Sequence, residues 1–320
     1  MLKKQSRSDY GAQTYRKQTL KTALLVVLIL VLLSCSAVLV SGWIDNPGKT
    51  AKKEITELWD TQNYSQVFVK SREELERNPV DTQLLTLYGF AAYQLAAAQI
   101  NASDMLSYID ECIWSLRKAL LTRDGKQDSR IHYVLGKAYY FKGPSYADLA
   151  VQYLEQARGA SYSAPDIPEY LGLSYALMKD YRSSVAAFSL ALSSAFLSEG
   201  DGKTPDSLLL AIATSYMELG EFNAAKAYLI RCIESSPDSN AVIRSRLLLG
   251  KVFQETGDME SAEKQYKDIL ELTDEHAEAH FQLGEIYGAS GDTTRARAEW
   301  RRALWVDPAH ETARSRLNMR

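Results

Sequence analysis

Histidine and cysteine offer the most scope for chemistry in this 320-residue chain, and both are scarce. The four histidines are His132, His276, His280 and His310. His276 and His280 stand four apart, a spacing that puts two imidazoles on one face of a helix, within reach of one metal ion. The residues between them are Ala-Glu-Ala, so Glu278 is not where the base of an HExxH site stands. His310 follows His276 at an interval of 34, which makes the two read as equivalents at a recurring boundary rather than as ligands. The three cysteines, Cys35, Cys112 and Cys232, show no CxxC spacing, which argues against a disulfide framework and a thiolate metal site. No phosphate-binding loop, nucleophile elbow or dinucleotide fingerprint is present. The residues therefore give no catalytic set, no metal site and no cofactor, and the chain reads as a non-enzyme.

Composition narrows the classes further. A net charge of −3 gives no electrostatic case for nucleic acid, which requires a clear basic excess. With 46% hydrophobic residues, eight prolines and seventeen glycines, the chain is that of a folded protein rather than a disordered one.

The elements that organise the chain begin with an apolar segment at 22–44, whose stretch from Ala23 to Ile44 carries no charge. At a rise of 1.5 Å per residue it spans roughly 33 Å, enough to cross a bilayer core. The tail before it, residues 1–21, carries Lys3, Lys4, Arg7, Arg16, Lys17 and Lys21 against one acid, Asp9. After it, lysines and acids are mixed. This bias predicts a single-pass inner-membrane protein with a cytoplasmic N-terminus and an extracytoplasmic, periplasmic bulk. Leu32-Leu33-Ser34-Cys35 resembles a bacterial lipobox, so a lipid anchor on Cys35 is the lesser alternative. Against it, Ala37-Val38-Leu39-Val40 continues the apolar run where a lipoprotein would begin a polar tether.

Beyond residue 48 the periodicity is helical, and one pattern recurs. Its fullest copy, residues 277–310, carries Leu283-Gly284 and Tyr287, then Ala296, Trp300, Ala303 and Pro308. One unit upstream stand Leu249-Gly250, Phe253, Ala262 and Tyr266. Residues 206–239 give Ala213, Tyr216, Ala225, Leu229 and Pro237, and residues 165–198 give Leu171-Gly172, Tyr175, Ser184, Phe188 and Ala191. Residues 129–164 give Leu135-Gly136, Tyr139, Ala150, Leu154 and Ala157, with two residues inserted around Pro144-Ser145. Copies at 82–128 and 48–81 are degenerate, the former with about eleven extra residues expected in its turn against the 34-residue period.

This pattern resembles the tetratricopeptide repeat. The resemblance implies an all-α fold, a right-handed superhelix (an α-solenoid) of about seven two-helix units over residues 48–310. Residues 311–320 are expected to form a polar capping helix, since the last unit needs a solvated outer face. Cys112 and Cys232 fall on second-helix slots where a small buried residue is wanted.

In this family the first helix of each unit lines the concave surface. Those positions are Phe90 and Tyr93, then Tyr133, Lys137, Tyr140 and Phe141, then Tyr170, Leu173 and Leu177. Further along come Thr214, Met217, Lys251, Gln254, Glu285 and Gly288, so an aromatic half gives way to a polar half. Rigid aromatics of this kind suit capture of a peptide segment or helix of another protein. The Lys/Asn carboxylate clamp of chaperone-tail binders is not matched, because Lys137 and Lys251 have no asparagine beside them. A second feature is a basic end, Arg295, Arg297, Arg301 and Arg302 with Arg314, Arg316 and Arg320, which reads as a solvated face or a docking patch for an acidic partner. The expected role is a membrane-anchored scaffold in assembly of an envelope, secretion or flagellar-motor complex; the alternative is a periplasmic chaperone holding client peptides. For the spanning anchor, Cys35→Ala leaves the chain in the membrane fraction and palmitate labelling finds no label to lose. A label that disappears with Cys35 overturns it.

Overall fold

The computed structural model describes residues 47–160, 162–198 and 205–318, so the apolar segment at 22–44, Cys35 and Arg320 lie outside the described residues. Among the described residues there is no strand, and no helix is long and apolar enough to cross a membrane. The described residues divide into two compact units, one ending at Ala91 and the other beginning at Ala92.

The first unit holds α1 (Pro47–Asp60), α2 (Tyr64–Arg77) and the opening turns of α3 (Thr82–Ala97). Ile55, Val67, Leu84, Leu85 and Tyr88 form its interior. Phe68 stacks on Tyr88 with ring centres 4.5 Å apart, and Lys52 pairs with Asp81.

In the second unit α4 (Ala102–Ala119) and a short α5 (Arg123–Gln127) precede a series of helix pairs. The pairs are α6 (Ser129–Lys142) with α7 (Ala147–Gly159), α8 (Ile167–Leu177) with α9 (Tyr181–Ser198), and α10 (Asp206–Glu218) with α11 (Phe222–Ser235). Two more follow, α12 (Ser239–Glu255) with α13 (Met259–Leu272) and α14 (Ala277–Ala289) with α15 (Thr293–Val306), before the final α16 (Glu311–Asn318).

A glycine on four of the five first helices explains the pairing, with Ala213 in its place on α10. A Cβ on Gly136 would lie 2.5 Å from Leu154, on Gly172 2.5 Å from Phe188, on Gly250 2.6 Å from Tyr266, and on Gly284 2.5 Å from Trp300. Each glycine thus admits the bulky residue of its own second helix, and Phe188, Leu154 and Tyr266 are wholly buried there. Alanines at 150, 225, 262, 296 and 303 are likewise fully buried, letting the backbones approach. No pair covers its own apolar face: Tyr266 and Ile269 of α13 share one cluster with Leu283, Ile286 and Tyr287 of the next pair.

The turns inside the pairs reuse one device. Gly220, Gly257 and Gly291 adopt φ of 73°, 79° and 84°, and the amide of the next residue reaches back to the carbonyl of Tyr216, Phe253 or Tyr287 at 2.9 Å. This is a helix end closed by a left-handed residue, which glycine adopts without steric penalty. Asp258 and Asp292 then cap the following helix by accepting from Ser261 N (3.0 Å) and Arg295 N (2.9 Å). The α8–α9 turn has the same hydrogen bonds but puts Lys179 at φ 61°.

Two irregularities stand out. The insertion after α6 forms a 3₁₀ turn, Pro144–Tyr146, and moves the Gly136 partner from the usual sixteenth residue to the eighteenth, Leu154. The extra residues of 82–128 do not lengthen the turn between its helices, contrary to the expectation from sequence. They go into longer helices, 16 residues in α3 and 18 in α4, and into α5. Thr122 accounts for α5: its hydroxyl donates to Ala119 O (2.7 Å) and accepts from Gly125 N (3.0 Å), starting a turn too short to show periodicity.

The turn geometry makes a stability prediction. Lys179→Gly relieves a left-handed lysine and raises stability by about 1 kcal/mol, whereas Gly257→Ala lowers it by about the same amount, read as opposite shifts in thermal midpoint.

Candidate partner-binding site

Of the residues with scope for chemistry, His276, His280 and His310 are engaged structurally, while His132 lies on α6 with its ring centre 6.1 Å from that of Tyr153. His276 Nδ1 accepts from Ala279 N at 3.1 Å and so caps α14; His310 Nδ1 does the same for Ala313 N at 3.3 Å. His280 is buried, with Nδ1 2.7 Å from Glu299 Oε2 and Nε2 3.2 Å from the Asp274 carbonyl. Burial works against the Glu299 charge, yet His280 and Arg302 hold its carboxyl below the usual range. The i,i+4 histidines therefore do separate jobs, and among the described residues no three His, Cys, Asp or Glu side chains converge as metal ligands. Cys112 and Cys232 are buried free thiols, and burial pushes both up, away from the thiolate a nucleophile needs.

The aromatic residues behave differently. On α6, Tyr133, Lys137, Tyr140 and Phe141 recur at i, i+4, i+7 and i+8, one face of a helix. That face meets Tyr170 of α8 and Tyr93 from the last turns of α3. Tyr140, Phe141 and Tyr170 pack edge-to-face, with ring centres 5.2, 5.4 and 6.1 Å apart, and Tyr93 lies 6.4 Å from Phe141. Such tilted pairs are the favoured aromatic arrangement.

Lys137 sits inside this cluster. Its ammonium is 4.4 Å from the Tyr170 ring centre, 5.0 Å from Tyr133 and 5.6 Å from Tyr93. It donates to Asp166 Oδ2 at 2.8 Å and to the Tyr133 hydroxyl at 3.0 Å. Tyr133 in turn donates to Asp166 at 2.8 Å. The lysine side chain is only 12% exposed, so this is a partly desolvated ion pair inside a cage of tyrosines. Burial, then Asp166 and Glu169, push Tyr170 up to about 12, and burial raises Tyr93 and Tyr133 as well. All three stay neutral hydrogen-bonding groups.

The other expected positions fall out as follows. Phe90, in the first unit, is buried at 9% exposure with its ring 6.1 Å from Trp59, so it is an interior residue rather than a surface anchor. Leu173 packs partly against Phe188, Ala191, Leu208 and Ile212, while Leu177 is exposed. Among the polar positions, Gln254 bonds Tyr266 and Gln282, and Glu285 pairs with Arg316. The arginines of the basic end are largely committed to their own chain. Arg295 pairs with Asp292 and lies over Tyr287, Arg302 pairs with Glu299, and Arg297 donates to Leu317 O at 3.3 Å. Arg301 is exposed.

Sequence reasoning passed over Asp166 and Glu169. Both follow Pro165 at the start of α8, where a carboxylate ahead of a helix is itself a signal. For the cluster, Asp166→Ala strands a buried ammonium and costs about 2 kcal/mol, while Asp166→Ala with Lys137→Met recovers much of that loss, measured by thermal unfolding.

Comparison with known proteins bears on the repeats. Residues 204–275 and 247–314 each match a family model described as a tetratricopeptide repeat. Over 114 residues the chain is 27% identical to the anaphase-promoting complex subunit CDC16 of Saccharomyces cerevisiae, a match covering 34% of this chain and 14% of that subunit. Among solved structures, it resembles the C-terminal part of a TPR repeat-containing protein from Cytophaga hutchinsonii at 18% identity and a TM-score of 0.56, covering 84% of this chain and 100% of that one. It also resembles PilW, a type IV pilus biogenesis factor, at 18% identity and a TM-score of 0.55, covering 72% and 98%. At such identities the likeness shows the fold alone. Residues 204–314 are tetratricopeptide repeats, and the helix pairs around them share that all-helical, solenoid-like fold.

Proposed function

We propose that this chain is a membrane-anchored scaffold whose repeats capture a segment of another protein, serving assembly of an envelope, secretion or flagellar-motor complex. Tetratricopeptide repeats bind other proteins or peptides, and among the described residues His276 and His280 do separate jobs while Cys112 and Cys232 are buried. The observation that carries the reading is the cluster of Tyr93, Tyr140, Phe141 and Tyr170, drawn from three first helices in succession and left half-buried. A half-buried aromatic group continued by exposed Leu177 gives a partner both anchors and apolar area without first ordering a loop. The anchor rests on the sequence: the charge-free stretch to Ile44 and the lysines and arginines before it favour one spanning helix with the repeats outside the cytoplasm.

Crosslinking in intact membranes, followed by identification of the captured protein, tests the proposal. One defined partner is expected, and Tyr140→Ala with Leu177→Asp reduces its capture at least tenfold with little change in the thermal midpoint. Capture that survives both changes removes the aromatic surface from the account. A heterogeneous set of unfolded clients in place of one partner replaces the scaffold with a chaperone.

A further inference from the structure

The charges around the aromatic cluster do not balance. Three cations of α6 each have a carboxylate of their own: Arg130 pairs with Asp128, Lys137 with Asp166 and Lys142 with Asp110. Glu169, one turn into α8, is the remaining charge, and it forms no ion pair among the described residues. It is half-buried, and burial together with Asp166 raises its carboxyl above the ordinary range, with only partial relief from Lys137. Glu169 stands one turn on from Asp166, on the face of α8 that meets Lys137, just as Tyr140 stands one turn on from Lys137 along α6, and Tyr140 meets Tyr170 across the same two helices with ring centres 5.4 Å apart.

The rings add to this bias, because an aromatic face carries negative potential. The cluster already demonstrates its preference, holding the Lys137 ammonium against three tyrosine faces. A second cation would meet the Glu169 carboxylate and the outer sides of the touching Tyr140 and Tyr170 rings together, with exposed Leu177 and half-buried Leu173 further along α8.

Resting on the partner-capture reading above, we infer that this surface selects a basic segment of its partner, placing a lysine or arginine side chain against Glu169 and the Tyr140 and Tyr170 rings while an apolar neighbour covers Leu177. An acidic segment or a free C-terminal carboxylate is disfavoured, because the cations of α6 already have carboxylates of their own, Lys137 that of Asp166.

The test uses the full-length chain in detergent micelles and fluorescence anisotropy with two fluorescein-labelled nonapeptides. One alternates leucine and arginine; the other has citrulline, uncharged and of the same shape, at each arginine. The arginine peptide is expected to bind about tenfold more tightly, the factor that a desolvated cation against a ring and a carboxylate represents. Glu169→Gln should remove most of that difference, Glu169→Asp should restore part of it, and Glu169→Lys should abolish binding of the arginine peptide. Equal affinity for the two peptides, with both weakened by Tyr140→Ala, overturns the charge selection and leaves the aromatic capture surface standing. Absence of binding by either peptide, or indifference to Tyr140→Ala, overturns both. Copies that associate through this face without peptide, seen by sedimentation and broken by Glu169→Lys, assign the surface to a second copy and overturn the inference.

Discussion

Everything in the second unit follows from how closely two helices approach within a pair. The missing side chain at Gly136, Gly172, Gly250 and Gly284 is the place where Leu154, Phe188, Tyr266 and Trp300 lie. Any larger residue there would meet a ring or branched chain held by packing from the next pair, with no flexible end able to yield. The contact fixes the spacing of the two helices, and the spacing decides which faces remain for the following pair. The aromatic surface is a by-product of the same rule. First helices stacked at a regular interval bring Tyr93, Phe141 and Tyr170 within reach of one another although they are far apart in sequence.

Much of this architecture can be read from residue types. Leu-Gly followed by an aromatic, then small, bulky and small residues, states the helix pairs directly, because each slot has a steric reason. The turns are as plain where glycine supplies the left-handed residue, and less plain at Lys179, where the same geometry is imposed on a lysine by the hydrogen bonds around it. Helix α5 was not legible, since five residues containing a glycine have no period to detect.

The site was legible in outline only. The residues of α6 and α8 share a helical face by spacing, so their grouping follows from the fold. Phe90 follows the same positional rule and is nevertheless interior, because Trp59 lies against it. The electrostatics were hidden. Spacing puts Lys137 on a first helix among tyrosines, but its neutralisation depends on Asp166, which stands at the start of α8 outside the recurring packing slots. A repeat pattern describes what must pack and says nothing of the connecting residues that decide charge. The arginines of the basic end teach the same lesson, as several spend their charge on carboxylates and carbonyls close by.

The lysine caged among tyrosines has a further consequence. Hydrogen bonds from Lys137 and Tyr133 to one carboxylate restrict the rotamers of these long side chains during folding. A ligand reaching this surface would meet rings already frozen in place and forfeit little conformational freedom on their behalf. Association at such a surface has a smaller entropic barrier than it would on a loose array of tyrosines, and a short segment suffices where a floppy surface would demand a longer one.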